Sequence, residues 1–114
     1  MPYLYEVSFD ISHDQMAELE IGHSLERLVG YLKVRLPVQR GFVLADGWYS
    51  VDDPGTTHVV ARSEWGDWSD VERHRASSIL EDHVFEEFEP HVSPDNITIR
   101  TYAEVGSGPV SARR

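Results

Sequence analysis

His74 is the residue whose type and spacing best suit it to chemistry. It follows Trp65 by nine positions in the run Glu64-Trp65-Gly66-Asp67-Trp68-Ser69-Asp70-Val71-Glu72-Arg73-His74. That run reads as the end of a strand, a helix start and a histidine one turn into the helix. An imidazole with a pKa near neutrality can take a phenolic or carbon-bound proton. An indole ring beside it offers a flat wall to a planar ligand. The competing reading is a buried structural histidine, hydrogen-bonded to a backbone carbonyl or to Glu64. On a continuous helix His74 shares a stripe with Val71, Ser78, Phe85 and Phe88, which aims it at a sheet rather than at water.

Around His74 the candidate ligand-binding residues are Trp65 as stacking wall, Tyr5 as a strand hydroxyl that orients a ligand oxygen, Ser78 as a small side chain that leaves volume, and Phe85 as apolar lining. Of Trp65 and Trp68, one is expected to be core. Trp48 reads as core or interface. Six histidines invite a test for metal binding. Glu20-Ile21-Gly22-His23 has the Glu-x-x-His spacing of di-iron sites, but the second such pair and the further glutamates of a four-helix bundle are missing. There is no His-x-x-x-His pair and no cysteine, so no metal site is expected. His13, His23, His83 and His91 read as surface residues. No nucleophile elbow, phosphate loop or dinucleotide glycine pattern occurs.

The elements that must position these residues follow from periodicity. Tyr3 to Phe9 alternates Tyr3, Tyr5, Val7 and Phe9 against Leu4, Glu6 and Ser8, a strand pattern. Ser12-His13-Asp14-Gln15 matches a capping box. The stripe Ala17, Ile21, Leu25, Leu28, Val29, Leu32 and Leu36 then predicts an amphipathic helix stopped by Pro37. Residues 41–51 form a second strand, with Phe42, Leu44 and Trp48 expected on one face and Val43, Ala45, Tyr49 and Val51 on the other. Asp52-Asp53-Pro54-Gly55 is a turn, and residues 57–65 the return strand. Ser69-Asp70-Val71-Glu72 reads as a second capping box. The helix it opens ends at Pro90, and its phase slips near Ser78-Ile79-Leu80, which predicts a helix in two pieces. The acidic run Glu81-Asp82, Glu86-Glu87 and Glu89 reads as that helix's solvated face. Residues 96–105 make the last strand, and 106–114 a flexible tail beyond a single domain over 1–105.

The order β-α-β-β-α-β is the ferredoxin-like α+β arrangement, a four-stranded antiparallel sheet with its helices on one face. The other face is expected to carry large apolar side chains, which normally marks an interface. A homodimer through the sheet faces is the natural solution.

With that element order, Glu64-Trp65, then His74, then Ser77, Phe85 and Phe88 before a proline resemble the dimeric α+β barrel superfamily. Within it the chain is most similar to antibiotic-biosynthesis-monooxygenase-like domains, over nearly the whole length to Val105. The resemblance implies a sheet-to-sheet dimer with a pocket in each subunit between sheet and helices. Some members oxidise polycyclic phenols with molecular oxygen and no metal or flavin, the deprotonated substrate itself supplying the electron. Others bind and degrade haem through a histidine on the second helix, with an Asn on the first strand. Tyr3 to Phe9 contains no Asn, so haem is not expected, and no cofactor is.

Composition narrows the partners. The net charge of −10 and pI near 4.8 disfavour nucleic acid and anionic membrane surfaces. No basic, apolar leader or membrane-length apolar run is present, which reads as a cytoplasmic protein. Three functions stay open at this point. The first is a cofactor-independent monooxygenase acting on a small aromatic or polyketide-like compound, with His74 as base or orienter. The second is a non-catalytic small-molecule-binding or sensing dimer. The third is a structural dimer whose apparent pocket is filled by Trp65 and Phe85.

Overall fold

A computed structural model describes residues 2–106; the expected tail, from Ser107 onward, lies outside the described residues. The strands are β1 (Tyr3–Ser12), β2 (Phe42–Tyr49), β3 (Thr56–Trp65) and β4 (Thr98–Ala103). The helices are α1 (Glu18–Arg35), α2 (Trp68–Ser77) and α3 (Ile79–Phe88). All strand pairs are antiparallel in the order β2-β3-β1-β4, so the ferredoxin-like α+β expectation holds.

Strand alternation and register sort the sheet into cross-strand rows. On the helix-covered face Phe42, Trp65, Tyr3 and Ala103 stand in one row, and Ala45, Ser63, Tyr5 and Thr101 in the next. Gly47, Ala61, Val7 and Ile99 follow. Ile21, Leu25, Leu28 and Leu32 of α1 and Leu80, Val84 and Phe88 of α3 close over this face. Of the predicted α1 stripe, Ile21, Leu25, Leu28 and Leu32 are buried and Val29 is half-buried, whereas Ala17 lies exposed just ahead of the helix; Leu36 is also buried, in the short 3-10 turn that carries Pro37. Glu18 and Glu20 in the first turn and Lys33 and Arg35 in the last suit the helix dipole.

The expected faces of β2 need correction. A bulge between Phe42 and Leu44 lets both pair with consecutive β3 residues, Trp65 and Glu64. The extra residue, Val43, shifts the parity. Phe42 therefore joins the covered face with Ala45 and Tyr49, while Leu44 and Trp48 go to the open one. Gly41, just before the bulge, sits at φ +83°, and any Cβ there would run into the Asp70 carboxylate.

Both capping boxes also need correction. The Ser12 side chain accepts from the Asp14 N–H at 3.2 Å, and Gln15 Oε1 accepts from the Ser12 N–H at 3.4 Å. These bonds close a turn at the end of β1 rather than opening a helix; α1 begins at Glu18 behind Ala17, without a side-chain cap. Likewise α2 starts at Trp68 behind Asp67, and Ser69 donates to Asp67 Oδ2 at 2.9 Å instead of capping. A strand that runs on to Trp65 leaves only Gly66 and Asp67 to turn the chain. The predicted break in the second helix is present: Ser78 takes a left-handed conformation, φ 57°, between α2 and α3.

The face turned away from the helices carries the expected large apolar groups, but rows of them alternate with charge. Leu44, Glu64, Leu4 and Tyr102 form one row, and Trp48, Val60, Ser8 and Thr98 another. Between them Asp46, Arg62, Glu6 and Arg100 alternate in sign across all four strands. Arg62 donates two hydrogen bonds to Asp46, at 2.9 and 2.8 Å, and lies over the Trp48 ring at 5.7 Å. Burial alone would raise the Asp46 carboxyl, but the guanidinium outweighs it and holds it below the usual carboxylate range.

Candidate functional site

The register places Tyr5 opposite Ser63 and Tyr3 opposite Trp65, all facing α2. On α2, spacing by three and four brings Asp70, Val71 and His74 to the buried side. His74, Trp65, Tyr5 and Ser63 are each 0% exposed. The Trp65 ring lies 4.5 Å from the imidazole at a 32° tilt, and the Tyr5 ring meets it edge-on at 5.0 Å. Trp65 Nε1–H donates to Ser63 Oγ at 2.9 Å, and Ser63 Oγ shares a 3.0 Å hydrogen bond with His74 Nε2. His74 Nδ1 is buried without a partner.

Burial without a counter-charge pushes the His74 pKa down to about 4, so the imidazole is neutral at ordinary pH. The expected basicity near neutrality is thereby corrected. Its fixed partner is neither a backbone carbonyl nor Glu64 but the Ser63 hydroxyl. One signal could have revealed Ser63: it is a small polar residue in an inward-facing series of Val59, Ala61 and Trp65.

At its far end Tyr5 donates its hydroxyl hydrogen to Glu81 Oε2 at 2.8 Å. Burial, then the Glu81 hydrogen bond and charge, raise its pKa above the ordinary tyrosine range, with Arg75 acting in the opposite sense. Arg75 in turn reaches Thr101 Oγ1 at 3.5 Å. Glu81 therefore does not belong to the solvated face: its Oε1 is buried and has no hydrogen-bond partner. His83, expected at the surface, is also buried, stacked on Tyr31 at 5.4 Å and contacting Arg35 Nη1 at 3.2 Å through Nε2. The helix break at Ser78 resets the phase of α3, so positions extrapolated from α2 point elsewhere.

Of the predicted site residues, the fold brings Tyr5, Trp65 and His74 together. Ser78 is exposed at the helix break, and its neighbour Ser77 holds the His74 carbonyl instead, donating at 2.6 Å. Phe85 is half-buried and lines an open hollow with Asp82, Val92 and Pro94. Trp68 is half-exposed against Tyr3, and Trp48 is exposed on the open face. An open groove of about 700 Å3 runs between α1 and β2, and a smaller hollow of about 250 Å3 lies between Leu4, Tyr102 and Val105. Neither is lined by His74 or Trp65. Among the described residues no group of three or more His, Asp and Glu side chains is placed to hold a metal ion. No helix there is long and apolar enough to cross a membrane.

No family model and no curated protein matches the chain. Solved structures do. A putative antibiotic biosynthesis monooxygenase from Bacillus cereus superposes with a TM-score of 0.63 at 17% identity, covering 95% of this chain and 97% of that one. A putative antibiotic biosynthesis monooxygenase from Deinococcus radiodurans gives 0.62 at 14%, over 95% and 97%. SnoaB, a cofactor-independent oxygenase from Streptomyces nogalater, gives 0.59 at 14%, again over 95% and 97%. At these identities the likeness is one of fold: the chain shares the ferredoxin-like α+β architecture of these solved structures.

Proposed function

We propose that this chain is a cofactor-independent, oxygenase-like enzyme acting on a small aromatic or polyketide-like compound, and that it works as a homodimer. The observation that carries the reading is the Tyr5–Trp65–His74 cluster, in which a neutral imidazole is held among aromatic rings with one nitrogen unpartnered. Shared architecture with a cofactor-independent oxygenase supports it by analogy.

The lowered pKa favours the orienting role of the two open to His74. Full proton transfer from a phenol of pKa about 10 to an imidazole of pKa about 4 is uphill by roughly 8 kcal/mol. His74 is thus an orienter, hydrogen-bonding a substrate oxygen through Nδ1, and the substrate must ionise readily before it passes an electron to oxygen. Oxygen uptake with hydroquinones and hydroxylated aromatic polyketides tests the reading. His74→Gln should lower turnover about 10- to 100-fold, the worth of one hydrogen bond to a charged group. Unchanged turnover removes His74 from the chemistry.

The open sheet face supports the dimer. Its apolar rows offer Leu4, Leu44, Trp48 and Val60, and its charges alternate in sign along one row, so covering it strands no single uncompensated charge. A second reading, a structural dimer whose apparent pocket is filled by its own side chains, is favoured by the complete burial of His74. Absence of saturable binding by the same compounds would select it, and saturable binding without oxygen uptake would instead select a non-catalytic ligand-binding or sensing dimer.

A further inference from the structure

Ser63 joins the indole of Trp65 to the imidazole of His74, and its hydrogen bonds have a direction. It is fully buried in an inward-facing strand series that is otherwise apolar: Val59, Ala61 and Trp65. Its Oγ has two hydrogen-bond partners, Trp65 Nε1 at 2.9 Å and His74 Nε2 at 3.0 Å. An indole N–H can only donate, so it takes an Oγ lone pair and offers nothing to the hydrogen of the serine. Among the described residues, His74 Nε2 is then the acceptor left for that hydrogen.

The two neutral forms of the imidazole strand different numbers of buried groups. With the proton on Nδ1, Ser63 donates to Nε2, and only the Nδ1–H lacks a partner. With the proton on Nε2, the serine hydrogen and the Nδ1 lone pair are both left unpaired. One fewer buried orphan favours the first form by about 10-fold or more. The Trp65 ring at 4.5 Å and the Tyr5 edge at 5.0 Å hold the imidazole plane in place.

We propose that Ser63 is the positioning residue of His74: its hydroxyl caps Nε2, fixes the proton on Nδ1 and makes the free nitrogen a hydrogen-bond donor. This rests on the reading of His74 as the orienter of a substrate oxygen. That oxygen is then an acceptor, a carbonyl or an ionised hydroxyl, and the N–H stabilises the negative charge it carries. A proton on Nε2 would present a lone pair instead and repel the same oxygen.

Nitrogen-15 NMR of the uniformly labelled chain tests this at neutral pH, where the imidazole is uncharged. The His74 resonances are assigned by their loss in H74Q. The wild type should show a pyrrole-type Nδ1 and a pyridine-type Nε2, with the Nδ1–H form in excess by about 10-fold or more. In S63A both nitrogens should move toward intermediate shifts as the excess falls below about 3-fold, whereas S63T keeps a hydroxyl and should keep the pattern. A pyridine-type Nδ1 in the wild type, or an unchanged pattern in S63A, would overturn the role of Ser63. Absence of oxygen uptake would remove the oxygenase reading and not the tautomer; uptake with a pyridine-type Nδ1 would remove the role of Ser63 and not the oxygenase. The wild-type spectrum decides the matter even if S63A fails to fold.

Discussion

The two faces of the sheet are built from the same four strands and differ by one residue of parity. On the helix-covered face the row of Ser63 and Tyr5 receives His74, and Ser63 Oγ is shared between Trp65 and His74 while His74 Nδ1 has no partner. On the open face the row of Asp46, Arg62, Glu6 and Arg100 neutralises itself, and Tyr102 adds a hydrogen bond to Glu6 at 2.8 Å. The contrast teaches where polar groups are free to act. Water stands in for missing partners on the open face, so its charges are of small consequence to stability. Behind the helices the partners must come from the protein itself, so an unpartnered nitrogen there, such as His74 Nδ1, is costly to keep buried.

The largest test of that contrast compares two tryptophans. Trp65→Ala should destabilise the fold by about 3–5 kcal/mol, since it empties a buried site against Phe42 and His74. Trp48→Ala on the open face should cost less than about 1 kcal/mol in the monomer. Similar shifts in urea midpoint for both would erase the distinction between the faces.

Next in size is the pH dependence of His74. Its folded pKa lies below its unfolded one, so between the two the unfolded chain binds the extra proton. Stability therefore falls as pH drops from about 6.5 to about 4, by roughly 3 kcal/mol in all, and is flat on this account outside that window. Unfolding curves across this range should be shallower for His74→Gln than for the wild type; identical slopes would mean that His74 is not desolvated in solution. Tyr5→Phe is expected to cost about 1–2 kcal/mol, because it also deprives Glu81 Oε2 of its donor. Smallest of all, Arg62→Met should change monomer stability by less than about 1 kcal/mol. For the dimer proposed above, its larger effect should appear in sedimentation equilibrium, as weaker association once Asp46 and Glu6 lose the cation between them.

Much of this was legible beforehand where the signal was local. Alternation along Tyr3–Phe9 marked β1, the stripe from Ile21 to Leu32 marked α1, and the lost phase at Ser78 marked the helix break. The meeting of Tyr5, Trp65 and His74 was also foreseeable, since two strand parities and one helical period point at a common layer. Glu81 and His83 were misplaced because one left-handed residue rotates everything after it, and acidic composition alone says nothing about which carboxylate turns inward. Val43 misled the reading of β2, since a bulge has no side-chain signature in a strand that is apolar on both parities.

Sequence by itself determined the element order, most of the α1 stripe and the break in the second helix, because those depend on periods of two and 3.6 residues that neighbouring side chains impose. Only the tertiary structure decided that the imidazole is neutral, that Ser63 holds it and that Glu81 turns an unpartnered oxygen inward. Desolvation and hydrogen-bond partnership are properties of the space between elements, and residues 11 and 76 positions apart in the chain meet only when that space has formed.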